Sequence, residues 1–256
     1  MISFKTLTFA ACTAALLTLS PVGAKPAAAA EPFTAEQKAA LEDYVRDFIL
    51  NNPEVLIEAV NRFKAKEEQK QEADAVAALD KYKDYLYKNK ELPQAGNPKG
   101  DITVIEFFDY NCGYCKRAFD TVTEAIKDDK NLRFVFVELP ILSPQSKTAA
   151  QWGLAANMQG KYFEFHSILM TTTEPKTDEM LERTAKELGL DIEKMKKDAA
   201  SDEVAKMLEK KVEIARDLRI SGTPGFIVGD QIIRGYIPYD AMKGMIAEAR
   251  KKGTKD

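Results

Sequence analysis

Cys112 and Cys115, in the run Phe107-Phe108-Asp109-Tyr110-Asn111-Cys112-Gly113-Tyr114-Cys115, are the residues of this chain best equipped for chemistry. They follow the apolar segment Val104-Ile105-Glu106-Phe107-Phe108 and open a stretch with helical spacing. A strand that delivers Cys-x-x-Cys to the first turn of a helix sets the first sulfur among unpaired backbone N–H groups. Those donors and the helix dipole favour thiolate over thiol. Thiolate is the species that attacks disulfides, so the spacing predicts thiol–disulfide exchange. Cys112 is then the nucleophile, and Cys115, one turn further in, the buried resolving thiol.

Two other uses of the pair are weaker. A zinc site takes four Cys or His ligands, and beyond the first thirty residues the chain offers only Cys112, Cys115 and His166. A purely structural disulfide closing so short a loop constrains the unfolded chain little. Copper(I) needs only two soft thiolates, so a copper-binding or chaperone-like role for the same cysteines stays open.

Glu106 is an acid in an apolar strand, sharing a face with Val104 and Phe108 by alternation. Buried there, its carboxyl has a raised pKa and can exchange protons with a nearby thiol. The alternative is a strand residue that faces solvent. His166, Trp152 and Met195, Met207, Met242 and Met245 lie in helical patterns and read as helix-surface or packing residues. No metal site and no cofactor follow from these residues.

The N-terminus carries Lys5, an apolar run from Leu7 to Leu19 and small residues ending at Ala30. This is the pattern of a secretory signal over residues 1–30, too short to span a membrane and containing Cys12. Its removal leaves one cysteine pair in an oxidising compartment, and no second apolar span follows. A net charge of −3 without a basic, aromatic-interleaved cluster gives no argument for nucleic acid.

Residues 31–92 read as a helical segment. Thr34 with Gln37 forms a capping box ahead of Leu41, Tyr44, Val45, Phe48 and Ile49, and Asn52-Pro53-Glu54 starts a second helix bearing Val55, Leu56, Val60 and Phe63. Lys64–Glu72 has no apolar side chain larger than alanine and reads as a solvated rod, after which Leu79, Tyr82 and Leu86 resume the pattern. An amphipathic segment must bury its stripe, so residues 33–75 predict self-association into a homo-oligomer. Leu92–Gly100, rich in Pro and Gly, reads as a loop.

From residue 101 to 256 the pattern is strand (Thr103–Phe108), helix from Cys112, parallel strand (Leu132–Leu139), helices over about 141–219, then strands Gly225–Val228 and Gln231–Arg234 around a Gly229-Asp230 turn, and a helix from Tyr239. Strand–helix–strand followed by strand–strand–helix is the α/β order of a thioredoxin fold, here with an inserted helical lobe.

The Phe107–Cys115 run, the insertion and Gly222-Thr223-Pro224 before the hairpin resemble DsbA-type thioredoxin-fold oxidoreductases of bacterial envelopes. The N-terminal Phe33–Phe63 stretch, with Asn51-Asn52-Pro53-Glu54-Val55-Leu56, is similar to suppressor-of-copper-sensitivity C proteins (ScsC). The resemblance implies a periplasmic protein acting on cysteine-containing substrate proteins and reset by a membrane redox partner. It implies a cis Thr223–Pro224 bond beside Cys112, with Thr223 presenting the substrate backbone. It implies an acid at Glu106 near the resolving cysteine. It makes Gly113 and Tyr114 the tuners of redox poise. Gly-Tyr departs from the Pro-His pair of the strongest oxidants and resembles the disulfide isomerases, so a less extreme poise is expected.

Overall fold

The computed structural model describes residues 33–253, so the signal segment with Cys12 lies outside the described residues. The chain divides into two units at Asn61/Arg62.

In the first, α1 (Ala35–Asn51) starts at the expected box: the Gln37 N–H donates to Thr34 Oγ1 at 3.3 Å and the Thr34 N–H to Gln37 Oε1 at 2.9 Å. Asn52 closes it, its Nδ2 donating to Phe48 O at 2.8 Å, and α2 (Glu54–Lys83) begins after Pro53. Leu41, Tyr44, Phe48, Leu56 and Val60 remain exposed, and α1 buries no residue.

The second unit holds the sheet. β2 (Ile102–Phe108) and β3 (Leu132–Glu138) are parallel, β4 (Gly225–Val228) and β5 (Gln231–Arg234) antiparallel, in the order β1-β3-β2-β4-β5. β2 and β3 are buried along their whole length, as apolar runs covered on both faces must be. The edge strand β1 (Gln94–Gly96) corrects the reading of Leu92–Gly100 as loop alone: it pairs antiparallel with β3. Gly96 ends it with φ +77°, where an added Cβ would meet Leu132 O at 2.5 Å.

On one face, α3 (Gly113–Asp128), α4 (Pro144–Met158), α5 (Tyr162–Thr171), α6 (Asp178–Glu187), α7 (Ile192–Ala199) and α9 (Tyr239–Lys252) share one core with Val104, Phe108, Phe134 and Phe226. The other face packs Ile105, Phe107, Val135 and Val137 against α8 (Asp202–Asp217). Leu79 and Tyr82 of α2, then Leu86 in a π-helical turn at Asp84–Lys88, join that second core. The resumed pattern after Glu72 is therefore built into the sheet's packing. Beneath β3, the fully buried Glu138 carboxylate pairs with the Lys211 ammonium and accepts from Tyr162 Oη at 2.7 Å. No helix among the described residues is long and apolar enough to cross a membrane.

Candidate active site

β2 ends at Phe108, and three residues later the chain enters α3 with Cys112 as its N-cap, at φ −79° and ψ 116°. A serine or asparagine oxygen ordinarily takes that place. Here Cys112 Sγ accepts the Cys115 backbone N–H at 3.3 Å, while its thiol hydrogen points to Thr223 O at 3.2 Å. The Thr223–Pro224 bond is cis, and Thr223 Oγ1 is buried with no hydrogen-bond partner.

The Cys112 pKa is lowered from 9.0 to about 6. The largest cause is the Cys115 thiol donating to the sulfur. Burial opposes it, and Thr223 with the N–H groups of Cys115 and Tyr114 adds to it. Cys115 is sealed off, and its thiol is pushed far up by burial, by its bond to Cys112 and by the nearby Glu106 charge.

Glu106 is fully buried, between Phe136 on one neighbouring strand and Phe226 on the other. Neither carboxyl oxygen has a partner. Burial first, and the Cys112 charge second, raise its pKa well above the ordinary carboxyl value. The solvent-facing alternative does not hold. Gly113 has no neighbour within 4 Å of an added Cβ, and Tyr114 is 64% exposed, so the dipeptide forms the open rim of the site.

Two residues that position the site carry no spacing signal in the sequence. Asp109 accepts the N–H groups of Asn111 at 2.8 Å and of Ile141 and Leu142 at 3.0 Å each, tying the cysteine loop to the segment after β3. Asn111 Nδ2 donates to Ser143 and Ser146 Oγ at 3.0 Å each, fixing the same loop to the start of α4. His166 is a packing residue: it is buried among Phe108, Phe136 and Tyr162, with Nδ1 3.3 Å from Tyr110 Oη. Burial lowers its pKa to about 3, so it is neutral. No group of three or more His, Cys, Asp or Glu among the described residues is arranged to hold a metal ion.

Residues 103–247 match the DSBA-like thioredoxin domain model, and residues 37–70 the copper resistance protein ScsC N-terminal domain model. A thioredoxin-like oxidoreductase from Silicibacter pomeroyi is 39% identical over 66% of this chain and 97% of that one, with a TM-score of 0.63. Proteus mirabilis ScsC in a transitional conformation is 27% identical over 86% of this chain and 98% of that one, with a TM-score of 0.64. Disulfide bond formation protein D of Bacillus subtilis is 27% identical over 63% of this chain and 78% of its own length. The chain also spans about a quarter of the length of Na(+)/H(+) antiporters such as NhaA 3 of Salinispora tropica, which match 69% of it at 28% identity. With the DSBA-like thioredoxin domain model matched over residues 103–247, more than half of its length, and a cysteine-capped helix beside a cis Thr223–Pro224 bond, this chain is a member of the DSBA-like thioredoxin domain family.

Proposed function

We propose that this is a periplasmic enzyme that exchanges and isomerises disulfides in other proteins through Cys112 and Cys115. The observation that carries the reading is the asymmetry of the two sulfurs: Cys112 caps the helix with a pKa near 6, while Cys115 is buried and held as thiol.

In isomerisation the Cys112 thiolate attacks a substrate disulfide, forming a mixed disulfide and releasing a substrate thiolate. That thiolate then attacks another substrate disulfide, and a last substrate thiolate displaces Cys112. No net oxidation occurs. In the oxidative direction a substrate thiolate attacks Cys112 of the Cys112–Cys115 disulfide and Cys115 leaves as thiolate. A second substrate thiolate resolves the mixed disulfide, so the substrate gains a disulfide and the enzyme becomes a dithiol. A membrane redox partner then resets the pair. Glu106 supplies or takes the proton of Cys115, which is otherwise held as thiol by its surroundings. Thr223 and Pro224 face the incoming chain, and Gly113 and Tyr114 set the poise.

Self-association through residues 33–75 supports the isomerase direction, because neighbouring sites can hold one misfolded substrate during exchange. The apolar residues left exposed on α1 and the start of α2 favour it. Light scattering of the protein and of a Phe48→Asp, Val60→Asp variant tests this. An equal, monomeric mass for both overturns self-association. Activity on scrambled against reduced ribonuclease tests the direction of exchange: faster recovery from the scrambled protein is expected, and recovery only from the reduced protein overturns the isomerase reading. Tight copper(I) binding by the reduced protein with no exchange activity overturns the enzyme role.

A further inference from the structure

One turn into α3 beyond Cys112, the half-buried Lys116 donates its ammonium to Thr172 O at 2.6 Å. Thr172 closes α5, and the segment after it brings in Lys176, whose ammonium donates to Glu174 O at 3.0 Å. Lys176 is 2% exposed, and its amine faces that of Lys116. Burial first, and the Lys116 charge second, pull its pKa down to about 8, so it is still a cation at neutral pH.

A buried ammonium is ordinarily met by a carboxylate, because burying an unpaired charge is costly. Glu174 offsets part of the repulsion, but it turns its carboxylate to Arg183 at 2.5 Å. Among the described residues both lysines are answered by backbone carbonyls. An ammonium has three donors, so each lysine keeps two beyond its carbonyl. Two positive charges and their spare donors therefore meet at one place.

That place is the cysteine end of α3. Further along the helix, the Phe119 ring lies 6.2 Å from Phe163 and 5.4 Å from His166 of α5, whereas Lys116 meets Thr172. Going back along α3 goes forward along α5, so the two helices run antiparallel and the segment after α5 lies against the first turn of α3. Helical side chains lean toward the N-terminus, which carries Lys116 toward Cys112. Residues one turn apart on a helix have Cβ atoms about 5–6 Å apart.

We propose that Lys116 and Lys176 form a binding site for a small tetrahedral dianion, phosphate or sulfate, and that an anion held there weakens Cys112 by repelling its thiolate. Two oxygens of such an ion can accept from both ammonium groups at once. Its two charges balance both lysines, which a single carboxylate does not. The second half of the inference rests on Cys112 being the attacking sulfur, and the first half does not.

Phosphorus NMR of phosphate titrated with the reduced protein at pH 7.5 tests binding, with sodium chloride at matched ionic strength as the control. A dissociation constant on the order of 1 mM is expected from two charge-assisted hydrogen bonds open to solvent, and sulfate should displace the phosphate. Lys176→Met and Lys116→Gln should each weaken binding about tenfold or more. Lys176→Met removes a buried charge while keeping the stem, so folding should survive.

Alkylation of Cys112 at pH 6 reads the coupling. It should run about twofold slower in saturating sulfate than in chloride of equal ionic strength, as expected for a dianion about 7 Å from the sulfur in a water-like medium. Both variants should react equally in the two salts, and comparing salts within one protein cancels any loss of folded material. Phosphate that binds no better than chloride screening explains, or as well in both variants, overturns the site as an adventitious ion only. Binding that leaves alkylation unchanged overturns the link to Cys112. If Cys112 resists alkylation in either salt until the protein unfolds, the enzymatic reading falls instead, while the NMR titration still decides the site.

Discussion

The Cys115 backbone N–H donates to Cys112 Sγ at 3.3 Å, so the helix that carries Cys115 is capped by Cys112. One short turn thereby sets both reactivities. It offers donors to the first sulfur and buries the second. The Cys112 pKa is lowered from 9.0 to about 6 in the folded dithiol, which gives a definite sign to the pH dependence. The stability contributed is fully present above the unfolded thiol value and is lost as pH falls through about 6. Because the disulfide form has no such group, acidification makes the pair less oxidising relative to an ordinary dithiol.

Glu106→Gln removes the buried carboxyl but keeps its shape. The Cys115 thiol then loses the buried carboxyl whose charge it senses. Resolution of the mixed disulfide should slow by about a hundredfold, the lower range for general acid–base catalysis. Quenched-flow trapping would show the mixed disulfide accumulating, and unchanged resolution would remove Glu106 from the mechanism.

Tyr114→His places an imidazole on the exposed rim, where the side chain has room. A protonated or donating ring near Cys112 stabilises its thiolate, lowering its pKa by about one unit. The reduced form then gains about 1.4 kcal/mol, and the potential should rise by about 30 mV. Equilibration with glutathione measures this; a fall would mean that Tyr114 already favours the thiolate.

Lys211→Met strands the Glu138 carboxylate in the core, where both partners are 1% exposed. Removing one member of such a pair typically costs about 3–5 kcal/mol, whereas replacing both by apolar residues is often neutral. Urea unfolding of Lys211→Met and of the double variant Lys211→Met, Glu138→Leu should show a large loss in the first and recovery of most of it in the second.

The elements with strong local signals are legible in the sequence. The hairpin Gly225–Val228 and Gln231–Arg234 and the helix Ile192–Ala199 fall where turn chemistry and spacing put them. The cysteine pair, Glu106 and the cis Thr223–Pro224 bond were equally readable, the last through family resemblance. β1 was not, because a three-residue edge strand among prolines and glycines is decided by its partner β3 and has no periodicity of its own. Lys211 gave no sign of burial, since lysine is nearly always at the surface and only Glu138, distant in sequence, makes its place tolerable. Asp109 was silent for the same reason: its partners Ile141 and Leu142 are backbone groups brought close only by the fold.

The rate of Cys112 alkylation in the folded, reduced protein, followed across pH, tests the central claim most directly. The account predicts a half-maximal rate near pH 6, with Cys115 unmodified throughout. A rate still climbing between pH 8 and the ordinary thiol value of 9.0, or no reaction until the protein unfolds, would contradict it.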